Sequence, residues 1–227
     1  MRAKYWLSLV ILALVAVPVA AQTIPAGIDV WTTKNDGNTW VDFTDNPLPA
    51  GFFCAGSAPF AQVVKVKGLP IVTNPSGVLK QTDTVIQRLQ SVTFDAAGNG
   101  STPIQARAIC FQEKNLVTVT CGGSNTTWSV RVRINPSVNA VTSMTIHKAA
   151  GGAPGGTYDA TVSIPGLVRF TNTATGQSTQ DAAETISLSV TGAAWADHPG
   201  NGGVTWTSPV TIAQACDSSP NVTVPGT

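Results

Sequence analysis

Trp128-Ser129-Val130-Arg131-Val132-Arg133-Ile134 alternates without a break. Trp128, Val130, Val132 and Ile134 share one side and Ser129, Arg131 and Arg133 the other, the period of two that marks a strand with one buried and one wet face. Asn135-Pro136-Ser137 ends it. Upstream, residues 104–112 and 116–120 read as two more strands turning at Lys114-Asn115, a hairpin flanked by Cys110 and Cys121. Downstream, residues 141–148 and 158–164 read as a pair joined by a Gly- and Ala-rich loop at 149–156, and residues 167–170 and 185–190 as further strands about a turn at Thr175-Gly176-Gln177.

The N-terminal half carries the same signals. Residues 29–33 and 39–43 are β-branched and aromatic runs about Lys34-Asn35-Asp36-Gly37-Asn38, whose Asp-Gly tolerates positive φ, and they predict a hairpin. A second hairpin is predicted from 91–94, a loop at 95–100, and the strand at 104–112. Asp83 invites a helix cap, with Val85, Ile86, Leu89 and Val92 on one face, but the continuation through Thr93 and Phe94 into a turn favours a strand. Short strands at this spacing predict an all-β fold, an antiparallel β-sandwich of the Ig-like or jelly-roll-like kind.

Composition supports strands and narrows partners. The 227 residues include 13 Lys+Arg and 12 Asp+Glu, so 11% are charged, against about 25% in an average soluble protein. Thr, 21 Gly and 15 Pro take their place, residues that suit strands and turns rather than helix faces. A nucleic-acid partner would need a basic surplus, and there is none.

Arg2 and Lys4, the apolar run over 7–17 and the small residues Val19-Ala20-Ala21 predict a signal peptide over 1–21, cleaved after Ala21. The run breaks at Pro18 and is shorter than the roughly 20 apolar residues of a bilayer span. Losing Arg2 and Lys4 turns the formal net charge from +1 to −1. The reading is a secreted chain, extracellular or periplasmic, with no membrane span after cleavage. Its mature part is one β unit over 22–216, or two with a boundary near 135, followed by a flexible tail over 217–227.

Cys54, Cys110, Cys121 and Cys216 in an exported chain predict two disulfides. The expected pairing is Cys110 with Cys121 across the hairpin at Lys114-Asn115, leaving Cys54 with Cys216. With no CxxC pair, a zinc site is not supported.

No catalytic motif stands out, and no cofactor is expected. Gly-x-Ser-x-Gly, a P-loop, a dinucleotide glycine motif and HExxH are absent from the sequence. A triad would have to use His147 or His198 with a distant Asp and a hydroxyl. A glycosidase pair, with carboxylates about 5–9.5 Å apart, would have to come from Asp29 and Asp42 across the first hairpin. Asn35-Asp36-Gly37-Asn38, Asp95 with Asn99, and Asp197 with Asn201 offer oxygens to a calcium ion but are equally turn chemistry. Arg131 and Arg133 share a wet face where an anion would sit. The tryptophans offer a binding surface instead: Trp195 and Trp206 lie in loop-like settings and are the expected platform for a sugar ring or another protein.

The sequence therefore favours a secreted, non-catalytic β-sandwich with a structural or adhesive role. A carbohydrate- or protein-binding module, acting on a polysaccharide or surface protein, is the alternative, and a secreted hydrolase comes third. Solvent faces built from Thr, Ser, Gln and Asn leave strand edges short of the lysines that discourage edge pairing, so self-association through an edge strand is also expected.

Overall fold

The computed structural model describes residues 23–33, 39–71, 82–149, 155–195, 210–212, 216 and 222–224. The signal segment, the loop at 34–38, His198, Trp206, Asp197 and Asn201 lie outside them. The described residues form only antiparallel strands and turns, with no helix.

The described residues hold fourteen strands, in chain order β1 (Thr23–Ile24), β2 (Gly27–Trp31), β3 (Trp40–Asp42), β4 (Val63–Gly68), β5 (Thr84–Arg88), β6 (Val92–Thr93), β7 (Asn99–Glu113), β8 (Val117–Cys121), β9 (Ser124–Ile134), β10 (Val141–Lys148), β11 (Gly156–Asn172), β12 (Ala182–Trp195), β13 (Val210–Ile212) and β14 (Val222–Val224). Most join one ten-stranded sheet. β1 pairs with β6, and β13 with β14, as separate ribbons, so the stretch expected to be a tail contains a paired strand.

The two longest strands organise the sheet. β7 meets β10 along residues 99–105 and β9 along 110–112. β11 meets the same two strands, β10 over 156–161 and β9 over 166–172. β9 and β10 thus lie end to end in one lane between β7 and β11. On its other flank β7 holds β5 and then β4, while β11 holds β12, which pairs with no other strand among the described residues.

The alternation at 128–134 builds β9 as expected: Trp128, Val130 and Val132 are buried while Arg131 and Arg133 lie on the other face. The main core gathers these residues with Ile104, Ile109, Phe111, Met144, Ile146, Ile164 and Phe170. The segment leading through β3 and into β4 covers it, inserting Phe43, Phe53 and Phe60 against Phe170 with ring centroids 4.9–6.0 Å apart. A smaller cluster of Ile71, Val85, Ala108, Cys110 and Cys216 packs on the other side of β5 and β7.

Three expectations give way to longer-range pairing. β2 pairs with β5, not β3, and β3 pairs with β4; Asp29 and Asp42 therefore do not face each other. β7 and β8 do not pair either. β8 folds back on β9 through Gly122 and Gly123, at φ of 58° and 83°, the two-residue turn that positive φ at both central positions favours. The disulfides follow this topology. All four cysteines are bridged, but as Cys54–Cys121 and Cys110–Cys216, with Cα atoms 5.9 and 5.4 Å apart. Cys110 points into the smaller cluster, away from the end of β8, so it meets Cys216 and leaves Cys121 to Cys54. The candidate helix at Asp83 is strand β5, and the pair β10 and β11 forms as read, with Ser143 opposite Thr161 and Lys148 opposite Gly156.

Candidate functional site

Where β2 ends, a groove of about 400 Å³ opens between Trp31, Thr32, Thr33 and Thr39 on one side and residues of β12 on the other, floored by Tyr158 of β11. Trp31 and Tyr158 lie against each other, ring centroids 5.1 Å apart and planes tilted by 31°. From β12 come Ser187, Leu188, Ser189, Val190, Thr191 and Ala193. No lining residue is charged; along β12, Leu188 and Val190 turn to the core side, while Ser187 and Ser189 turn to the exposed face, where Ser189 Oγ lies 3.2 Å from Thr161 Oγ1.

A buried charge pair supports this wall from beneath. Asp29 accepts from Arg88 Nε at 2.9 Å and from the Trp195 indole N–H at 3.3 Å, and Arg88 also donates to the Pro25 carbonyl at 2.7 Å. Burial, and then the nearby Asp29 charge, push the Tyr158 hydroxyl up to about 12. Thr33 is fixed by Asp83, which accepts its N–H at 2.7 Å and its hydroxyl at 2.9 Å while also accepting from Thr84. Burial raises the Asp83 carboxyl, against the pull of these donors. Gly68 makes room for it: a Cβ there would stand 1.8 Å from Asp83 Oδ2.

The structure disperses several sequence candidates. Trp195 is half-buried against the core, its indole tied to Asp29 beside the groove rather than offered as a free platform. Among the described tryptophans, Trp40 is the exposed one, at 47%, on the outer face of β3 opposite Lys65. His147 has both ring nitrogens engaged, Nδ1 2.7 Å from Asn99 Oδ1 and Nε2 2.9 Å from Asp159 Oδ2. Asp159 completes half of a triad, but neither ring nitrogen faces a hydroxyl. Asp159 is held low, first by the Gly192 N–H and then by His147.

Asp95 turns its carboxylate onto the N–H groups of Ala97 and Asn99, as a turn cap. Asp42 likewise accepts from Thr44. No cluster of metal-ligating side chains occurs among the described residues. Arg131 reaches Gln112 and Glu113, and Arg133 shares Asp181 with Arg169, so the expected anion-holding pair is drawn to carboxylates.

Trp31 and Tyr158 were not legible as partners. Each reads as an ordinary strand aromatic, and their contact links β2 to β11, strands 125 residues apart from Trp31 to Gly156 that are not adjacent in the sheet order, so no local pattern announces it. Compared with known protein families, curated proteins and solved structures, the chain matches none.

Proposed function

We propose that the chain is exported behind a signal cleaved after Ala21 and acts outside the cytoplasm as a non-catalytic β-sandwich with a structural or adhesive role. It holds a neutral partner in the groove between Trp31 and β12. One observation carries the reading: the groove joins an aromatic pair to Thr32, Thr33 and Thr39 and to the uncharged edge of β12, and contains no charged side chain. Such a surface binds by stacking and hydrogen bonding. It lacks the paired acid and base that hydrolysis needs. Two further features favour export and argue against catalysis: every cysteine is in a disulfide, as an oxidising compartment allows, and His147 is closed on both nitrogens by Asn99 and Asp159.

The test is retention of the purified mature protein on insoluble neutral polysaccharides and on immobilised unfolded polypeptide, with Trp31→Ala alongside. Retention by at least one matrix is expected. It should fall about tenfold or more in the variant, since an aromatic contact of this kind is worth about 1 kcal/mol beyond its buried area. Retention that Trp31→Ala leaves unchanged would reject the groove as the site.

A further inference from the structure

The β12 wall of the groove is also a strand edge. On β11, the Pro165 carbonyl accepts the Asn135 N–H at 2.8 Å, so odd-numbered β11 residues turn their backbone groups toward the β9 and β10 lane. In an antiparallel ladder a residue directs both its N–H and its C=O to the same neighbour, which leaves the even-numbered residues to bond β12. Ser163 stands opposite Ser187 and Thr161 opposite Ser189, odd against odd. The N–H and C=O groups of Ser187 and Ser189 therefore point away from β11. Among the described residues no strand pairs with that edge. Near one end of it, the Glu184 carboxylate accepts from Asn46 Nδ2 at 3.1 Å.

From these observations, and resting on the reading of the groove as a binding site, we infer that its occupant is an extended, uncharged segment of a partner polypeptide. The segment adds antiparallel to β12 at Ser187 and Ser189. An unpaired edge offers donors and acceptors every second residue, about 7 Å apart, a spacing that an extended backbone matches. The two faces then set the guest's side chains. Those pointing inward meet Leu188, Val190, Trp31 and Tyr158, and those pointing outward continue the row of Ser187 and Ser189. Charge selects too: β12 carries one charged residue, Glu184, already bonded by Asn46, and the groove has none.

The experiment is calorimetric titration of the mature protein with a short capped peptide of alternating valine and threonine, bearing a lysine at each end for solubility. Two backbone-methylated forms and a neutral oligosaccharide are titrated alongside. Threonine stands opposite Ser187 and Ser189, so methylating the threonine amides should weaken binding at least tenfold, while methylating the valine amides leaves it unchanged. Ser187→Pro removes an N–H that faces the groove and not β11, so it should unfold as cooperatively as the parent and bind at least tenfold more weakly. If it misfolds, the methylated peptides still decide.

Equal effects of the two methylations would overturn the inference. So would oligosaccharide binding without peptide binding, which keeps the groove but makes it a sugar site, or a concentration-dependent dimer that the peptide does not disturb, which makes a second copy the occupant. Failure of the groove itself shows separately, as retention indifferent to Trp31→Ala.

Discussion

Asp29 is a buried carboxylate on which three partners converge: the Arg88 guanidinium, the Trp195 indole and, through space, the Tyr158 hydroxyl. Asp29 and Arg88 side chains are each 9% exposed. Removing one member of such a pair leaves the other charge buried and uncompensated, which costs about 3–5 kcal/mol. Asp29→Ala should therefore lower the urea midpoint by that amount of stability, whereas Asp42→Ala, at an exposed turn, should shift it far less. A small, equal loss from both would mean that Asp29 is not buried with Arg88. Sequence alone offered Asp29 only as half of a carboxylate pair. Its true partner is 59 residues away, and no local pattern distinguishes an aspartate beside a turn from one beneath an arginine.

Among the elements, patterns that depend on one strand were legible and patterns that depend on a choice of neighbour were not. The alternation in β9 and the register of β10 on β11 follow from residues close in sequence. The Asp36-Gly37 signal suggested that β2 returns onto β3, yet β2 lies on β5, because a strand's partner is settled by the whole sheet's burial. Gly122-Gly123 was the turn signal that mattered, and it moved β8 away from β7.

The disulfides record that rearrangement and supply its test. Non-reducing digestion should release one linked peptide pair joining Cys54 to Cys121 and another joining Cys110 to Cys216. A fragment linking Cys110 to Cys121 would contradict the sheet order. Each bridge closes a long loop, of 67 and 106 residues, so each contributes up to about 4–5 kcal/mol by chain entropy.

Across the whole molecule, the shortage of charge makes the few ionic groups matter to pH behaviour. Burial alone would raise Asp181, but the guanidinium groups of Arg169 and Arg133 outweigh it and hold its carboxyl below the ordinary value. A carboxyl depressed in the folded state adds stability above its unfolded value of about 3.9 and loses it as pH falls through the folded value. The stability gap between the parent and Asp181→Asn should thus be widest above about pH 5 and close on acidification, as followed by urea midpoints across pH. A gap independent of pH would show that the arginines do not act through its charge. Asp83, raised by burial, works in the opposite sense and gains stability on acidification.

The β class, the uncharged faces and the strand at residues 185–190 could all be read from composition and period. The groove could not, because it exists only where the end of β2 and the free flank of β12 come to lie across from each other.

The shared lane also sets an order of events for the emerging chain. β9 and β10 are made before β11, and the second flank of each is covered only when β11 is present through Asn172. Until then the nascent polypeptide displays two open flanks in line, both rich in Thr and Val, the kind of surface that invites misassociation during synthesis. Covering both flanks therefore waits on one 17-residue strand.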